Sequence, residues 1–366
     1  MEKRNNMKEV IIATGTLGGG GAERVFLNIG NEMSARGLKV RVLVTGSRPA
    51  ESYPLDANVI VDVIRSKKKN KALKIIDKFN QFRKYLKEHE NSTVISFFPD
   101  VSAYCVLASL GIENRNIVSE RNDPNKIPSK KYMKIIRNIA FQFADICVFQ
   151  TKDARDYFSN RVRKKGIIIN NPVNTTMMPK VKDICDREKI ILAVGRIVPQ
   201  KNFMMLIKAW EQIEKKYPEY TVHIYGDKTY WSCIFTDELQ NYIDSHNLNQ
   251  RVQLMGFSNE IYSVMNKATI YVSSSDYEGM SNTMLEAMAM GVPTIATDCP
   301  IGGAKAVIKN GVNGILTPVG DEKKLAKAID LLLGSVEERK KLAFAGQKIR
   351  SDMSIQKICD EWINIL

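Results

Sequence analysis

At 366 residues with 44% hydrophobic content, the chain is long enough for two domains and apolar enough to build a core in each, which excludes a disordered protein. Its net charge of +14 resides wholly in residues 1–172, with 31 Lys and Arg against 17 Asp and Glu, while residues 173–366 carry 23 of each. The six cysteines at 105, 147, 185, 233, 299 and 359 form no Cys-x-x-Cys pair and have no histidine at metal-ligand spacing, which excludes a disulfide scaffold and a zinc module; they read as buried, reduced thiols.

The first residues run from charged side chains into a short strand, so no signal peptide is expected, and no apolar run reaches the length of a membrane span. A cytoplasmic protein is the expectation. Residues 8–14 predict a strand, followed by the glycine run Gly18 to Gly21, a helix over 22–35 and a strand over 39–44. Lys67, Lys71, Lys74 and Lys78 then recur at helical spacing beside an apolar row of Ile75, Phe79, Phe82 and Leu86. Further strands are expected at 93–98, 116–119, 145–149 and 166–169. Between them, Lys130, Lys134 and Arg137 lie opposite Tyr132, Ile135, Ile136 and Ile139. Both apolar rows are expected to pack on their own domain. The basic faces make a one-sided positive field suited to an anionic bilayer or an acidic lipid diphosphate. Nucleic acid is not expected as a partner, because no RNA-recognition signature, zinc finger or basic-aromatic alternation is present.

Pro172 interrupts this series, and the charged stretch 173–188 reads as a linker. A second alternating series predicts strands at 189–194, 220–225, 251–255, 269–273, 294–297 and 314–317. Alternation of strand and helix argues for an α/β architecture with a parallel sheet in each domain. The expected organisation is a first domain over 1–172, a second over 189–350 and a last segment over 351–366. Two such doubly wound domains would face each other across a cleft, with binding loops at the carboxyl ends of the strands.

Two loops of the second domain carry the chemistry. The strand ending at Val194 leads into Gly195-Arg196, with Lys201 five residues further on; a planar fork of donors and a compact ammonium together suit a diphosphate. The strand over 268–275 leads into Glu278-Gly279-Met280-Ser281-Asn282, and a helix from Asn282 carries Glu286 before ending at Gly291. The first amides of that helix have no intrahelical partners and carry the positive end of the dipole, which suits an anionic or hydroxyl-rich ligand.

The stretch from Glu278 through Glu286-Ala287-Met288-Ala289 to Gly291 and Pro293 resembles the two-glutamate motif of the retaining glycosyltransferases of family 4, whose fold is the two-domain GT-B fold with Rossmann-like halves. Arg196 and Lys201 match that family's Gly-Arg-x4-Lys motif in type and spacing. The resemblance implies a hexose or N-acetylhexosamine transferase using a nucleotide sugar, UDP-linked by family frequency with GDP left open. It assigns Glu286 to the ribose hydroxyls and Glu278 to the transferred sugar. The amides of Met280, Ser281 and Asn282, with Gly279 allowing close approach, would hold sugar hydroxyls and phosphate oxygens. Arg196 and Lys201 would carry the charge of the departing nucleotide in place of a metal ion. No cofactor and no metal are expected, and no Asp-x-Asp motif occurs in the chain. In the family the final helix crosses back to the first domain, a course open to residues 355–366.

The glycine run lacks the Gly-Lys-Ser/Thr of a P-loop and does not complete Gly-x-Gly-x-x-Gly, so a tight turn remains an alternative. The resemblance places Gly19 and Gly20 on the donor diphosphate. Many family members carry a histidine after a middle strand of the first domain, but His89, His223 and His246 are not so placed. Ser119-Glu120-Arg121-Asn122-Asp123-Pro124 stands there instead, in a form similar to a branch associated with bacterial surface polysaccharides and lipid-linked oligosaccharides. Glu120, Arg121 and Asn122 are therefore acceptor-side candidates, with a helix-capping turn as the alternative. The acceptor expected is a glycan or lipid-diphosphate glycan, met by a protein peripheral on the inner face of the membrane. A nucleotide-sugar 2-epimerase of the same architecture and a noncatalytic module bound to a membrane or polyanion stay open.

Overall fold

The computed structural model describes residues 9–18, 20–46, 54–227 and 233–366, which pack as two units, Met1–Pro172 with Ile355–Leu366 and Val173–Ser354.

In the first unit the strands are β1 (Glu9–Thr14), β2 (Lys39–Val44), β3 (Ile60–Val63), β4 (Thr93–Ser96), β5 (Arg115–Glu120), β6 (Ile146–Phe149) and β7 (Gly166–Ile168). They form a parallel sheet in the order β3-β2-β1-β4-β5-β6-β7, with Val10 registered on Val40 and Thr93. The central strands are apolar on both faces, as a sheet covered on both sides requires. Val10 and Ile12 point into one core and Ile11 and Ala13 into another. The helices are α1 (Gly21–Ala35), α2 (Lys71–Glu88), α3 (Pro99–Ala108), α4 (Lys131–Phe143), α5 (Lys152–Asp156) and α6 (Asn160–Arg163). Helix α3 packs against both α2 and α4.

The second unit contributes β8 (Glu188–Val194), β9 (Thr221–Tyr225), β10 (Val252–Gly256), β11 (Ala268–Ser273), β12 (Thr294–Thr297) and β13 (Ile315–Thr317), again parallel, in the order β10-β9-β8-β11-β12-β13. Its helices are α7 (Phe203–Glu211), α8 (Cys233–Ser245), α9 (Ile261–Lys267), α10 (Asn282–Ala289), α11 (Glu322–Gly334), α12 (Val336–Gly346) and α13 (Ile349–Asp352). In both sheets the order reverses beside the first strand, at β1/β4 and β8/β11, and the loops after these strands are where a doubly wound sheet binds ligands.

Helix α14 (Ile355–Ile363) belongs to the first unit, where it packs on α1. Its Ile355, Ile358, Cys359 and Trp362 are buried in the core beneath α1, and Arg36, the C-cap of α1, holds it by an ion pair to Asp360 and a 2.9 Å bond to Gln356 O. The stretch 173–188 is not the free linker expected. Val173 is buried in the second unit and donates its amide to Met353 O at 2.7 Å, and buried Arg187 donates to Ala268 O and Met290 O. Cys185 and Cys233 are exposed, against the expectation of buried thiols; the other four are buried.

Helix α4 is turned the other way round from the sequence reading. Arg137, expected on a solvated basic face, is fully buried with Ala140 and Phe141, while Tyr132, Ile135 and Ile139 are exposed. In α2 the row divides: Phe82 and Leu86 are buried and Ile75 is exposed.

Candidate active site

Strand β8 ends at Val194, where Gly195 and Gly226 come so close that a Cβ on Gly226 would lie 2.1 Å from Gly195 O. After that turn Arg196 is exposed and has no ion pair among the described residues. A short 3-10 turn, Pro199–Lys201, delivers Lys201 to the start of α7. Asn202 takes the left-handed conformation (φ 41°) there, and its side chain accepts from the Met205 amide, capping α7. A short polar residue tolerates this backbone, and the chain turns directly after the lysine.

The loop after β11 is stitched to this turn. The Asp276 amide donates to Gln200 O (2.9 Å), Gln200 Nε2 to Tyr277 O (3.0 Å), Asn202 Nδ2 to Asp276 Oδ1 (2.7 Å) and Ser274 Oγ to Lys201 O (2.9 Å). So held, Glu278 forms an ion pair with Lys201 and accepts a weaker bond from Ser275 Oγ at 3.4 Å. Both side chains are largely but not wholly buried, at 16% and 20% exposure, so the pair is open to a ligand. Gly303 lies close against the Gly279 backbone: a Cβ on Gly303 would fall 1.5 Å from Gly279 O, so the close approach needs glycine at 303. Ser281 caps α10 by accepting from the Met284 amide at 3.4 Å. The side chain of Met280 is buried, and Asn282 is half-buried at the first helical position.

Glu286 is buried one turn into α10, where Tyr262 of α9 donates its hydroxyl to Oε1 at 3.1 Å. Tyr271 is buried within electrostatic reach of both glutamates, with its hydroxyl 2.8 Å from Thr283 Oγ1; burial pushes its pKa up, and both glutamates add to the shift. It stays a neutral phenol. Burial likewise pushes the Cys299 thiol up to about 12, which rules it out as a thiolate nucleophile. The structure therefore joins Lys201 to Glu278 directly, with Glu286 further along the same loop and helix. Sequence reading missed Gln200, Asn202, Tyr262, Tyr271, Asp276 and Gly303. Only Asn202, a capping residue directly before a helical pattern, left a local signal.

In the first unit Gly20 is the N-cap of α1 and Gly19 lies outside the described residues. A Cβ on Gly20 would collide with the Glu23 carboxylate at 1.7 Å. Glu120 and Arg121 turn inward. Glu120 pairs with Arg137 at 3.2 Å and accepts from the amides of Arg121 and Asn122, and burial pushes its pKa up to about 7 against the pull of Arg137. Arg121 donates to Ile169 O and Asn171 Oδ1 and lies 5.4 Å over the Trp362 ring, so it braces α14. Asn122 is half-buried and caps the turn through Asp123 N. Among the described residues no three His, Cys, Asp or Glu side chains gather as a metal site would need, and no helix is long and apolar enough to cross a membrane.

Residues 19–177 match the model of Glycosyltransferase Family 4, and residues 175–349 match that of Glycosyl transferases group 1. The chain belongs to the family 4 glycosyltransferases. A Haemophilus influenzae protein described as an uncharacterized glycosyltransferase is 25% identical over 95% of this chain and 96% of its own length. A Campylobacter jejuni GalNAc-α-(1→4)-GalNAc-α-(1→3)-diNAcBac-PP-undecaprenol α-1,4-N-acetyl-D-galactosaminyltransferase is 25% identical over 98% of each chain. The Anabaena protein HepE, solved with UDP and glucose, superposes with a TM-score of 0.83 at 18% identity over 98% of this chain and 99% of its own. The fold of this glycosyltransferase is accordingly GT-B, two Rossmann-like domains each built on a parallel sheet.

Proposed function

We propose that this glycosyltransferase moves a hexose or N-acetylhexosamine from a UDP-sugar to a lipid-diphosphate glycan, with retention at the anomeric carbon and without a metal ion, in the assembly of a bacterial surface polysaccharide. The observation that carries this reading is the Lys201–Glu278 pair with Arg196 beside it in sequence and free of any ion pair among the described residues. An arginine left uncompensated beside a paired lysine offers net positive charge to a diphosphate. The Campylobacter enzyme's lipid-diphosphate acceptor and the UDP bound by HepE support the choice of acceptor and donor.

In this mechanism Arg196 and Lys201 neutralise the diphosphate as the glycosidic C–O bond breaks. Glu278 stabilises the positive charge developing at the anomeric carbon. The leaving phosphate accepts the proton of the acceptor hydroxyl, which attacks from the same face. Glu286, oriented by Tyr262, accepts from the ribose hydroxyls. The enzyme works chiefly by positioning and by electrostatic stabilisation. Asn122 is the acceptor-facing member of its loop, while Glu120 and Arg121 position it. The excess charge of residues 1–172 draws the protein to the inner face of an anionic membrane, where such an acceptor resides.

The test is to incubate the protein with UDP- and GDP-sugars singly, in EDTA, with and without a lipid-diphosphate glycan, and to identify products by NMR. An α-linked product from one UDP-sugar supports the reading. An isomerised donor formed without acceptor would instead indicate a 2-epimerase, and transfer that EDTA abolishes would remove the metal-free mechanism.

A further inference from the structure

Helix α4 breaks two local rules at once. Lys130, Lys131 and Lys134 crowd its N-terminal turn, where the helix dipole is positive, with no acidic residue there and no side-chain cap. Its outer face is apolar: Tyr132, Ile135, Ile139 and Phe143, spaced three and four apart, are 56%, 60%, 43% and 52% exposed. Its inner face instead carries the guanidinium, and Arg137 donates to Glu120 Oε2 (3.2 Å), Pro124 O (3.1 Å) and Ile127 O (2.8 Å). Packing of the unit therefore consumes the arginine and leaves the isoleucines outside. Local rules broken together in this way mark a functional surface.

Charge decides what covers the stripe. No Asp or Glu occurs between positions 124 and 144, so the cations around it go uncompensated within the segment, and Arg161 adds another, 5.9 Å over the Phe143 ring. A second copy of this face would set lysine against lysine. An anionic bilayer would answer the lysines with its headgroups and the isoleucines with its acyl boundary. Helix α2, on the other side of α3, repeats the composition with exposed Leu73, Ile75 and Ile76 among Lys71, Lys74 and Lys78.

We propose that α4 is an interfacial helix, whose Tyr132–Ile135–Ile139–Phe143 stripe inserts into the headgroup region of an anionic bilayer with Lys130, Lys131 and Lys134 at its edge. Through Arg137 the loop from Glu120 to Ile127 is then held against the membrane surface. The inference rests on the membrane part of the function proposed above and names the surface responsible for it.

The test is co-sedimentation of the full chain with phosphatidylcholine vesicles, with and without phosphatidylglycerol, scored without any transfer assay. Partitioning onto phosphatidylglycerol vesicles should fall at least about tenfold in Ile135→Glu/Ile139→Glu, with thermal unfolding unchanged because both side chains are exposed. Lys130→Ala/Lys131→Ala/Lys134→Ala should weaken binding and flatten its salt dependence. Unaltered binding by the isoleucine double variant would overturn the α4 assignment while leaving membrane association standing. No binding by the parent would overturn both, and a parent dimer that Ile135→Glu/Ile139→Glu dissociates would make the stripe an interface between copies.

Discussion

At the scale of single residues, the candidate site rests on Lys201 and Glu278, which belong to two separate motifs in the sequence and form one ion pair in the fold, with Arg196 exposed on the turn ahead of Lys201. In the proposed mechanism Lys201→Ala removes the charge that would neutralise the diphosphate and also strands Glu278, so kcat should fall by about 10²-fold or more, with donor KM changed far less. Because the two side chains are paired, Lys201→Ala/Glu278→Ala should be markedly less damaging than the product of the single losses, and simple additivity in a double-mutant cycle would argue against a shared role. Glu120 gives a prediction of pH dependence. Burial lifts its pKa from 4.5 to about 7, so the native state holds a proton that the unfolded chain has released. The stabilisation is complete below the unfolded value and is lost as pH rises through the folded one. Melting temperature should therefore fall between about pH 5 and about pH 8 more steeply in the parent than in Glu120→Gln, and equal slopes would contradict this. The motif glutamates, arginine and lysine were legible in the sequence because the loops between strand and helix set their spacing. Tyr262 and Gly303 were not, since nothing local connects a tyrosine on α9 or a glycine after β12 with residues 279–286.

At the scale of elements, most strands were legible because central parallel strands are continuous apolar runs. Strand β3 was not: Ile60, Val61, Asp62 and Val63 form an edge strand, mostly open to solvent, with a charge in its middle. Helix α4 shows a deeper limit of periodicity. Its pattern gives two faces correctly but cannot say which one is buried, and here the buried Glu120 decides by drawing Arg137 inward. Residues 173–188 looked unpatterned because their anchoring is made by a main-chain bond at Val173 and by carbonyls that Arg187 bonds. Two substitutions probe elements. Gly303→Ala must push the Gly279 backbone away, so it should lower activity while the thermal transition persists; activity equal to the parent would show that this contact does not shape the loop. Trp362→Ala should destabilise the first unit by ~3–5 kcal/mol through the cavity it leaves beneath α1 and through loss of the ring under Arg121, measurable by denaturant unfolding.

At the scale of the whole molecule, the charge asymmetry read from composition and the two-sheet architecture fit the division of tasks between the two units that the proposed function requires. The nearly neutral second unit carries Arg196, Lys201, Glu278 and Glu286 on the loops following β8 and β11 and on α10. The basic first unit carries α2, α4 and the loop after β5, where a membrane-borne acceptor would be met. The measurement that tests the central claim most directly is the rate of UDP release by Arg196→Ala at saturating donor and acceptor in EDTA, beside the parent. The account predicts a fall of about 10²–10³-fold with an unchanged melting temperature, since the side chain is exposed and makes no ion pair among the described residues. A rate within about twofold of the parent would contradict it and remove Arg196 from the stabilisation of the leaving diphosphate.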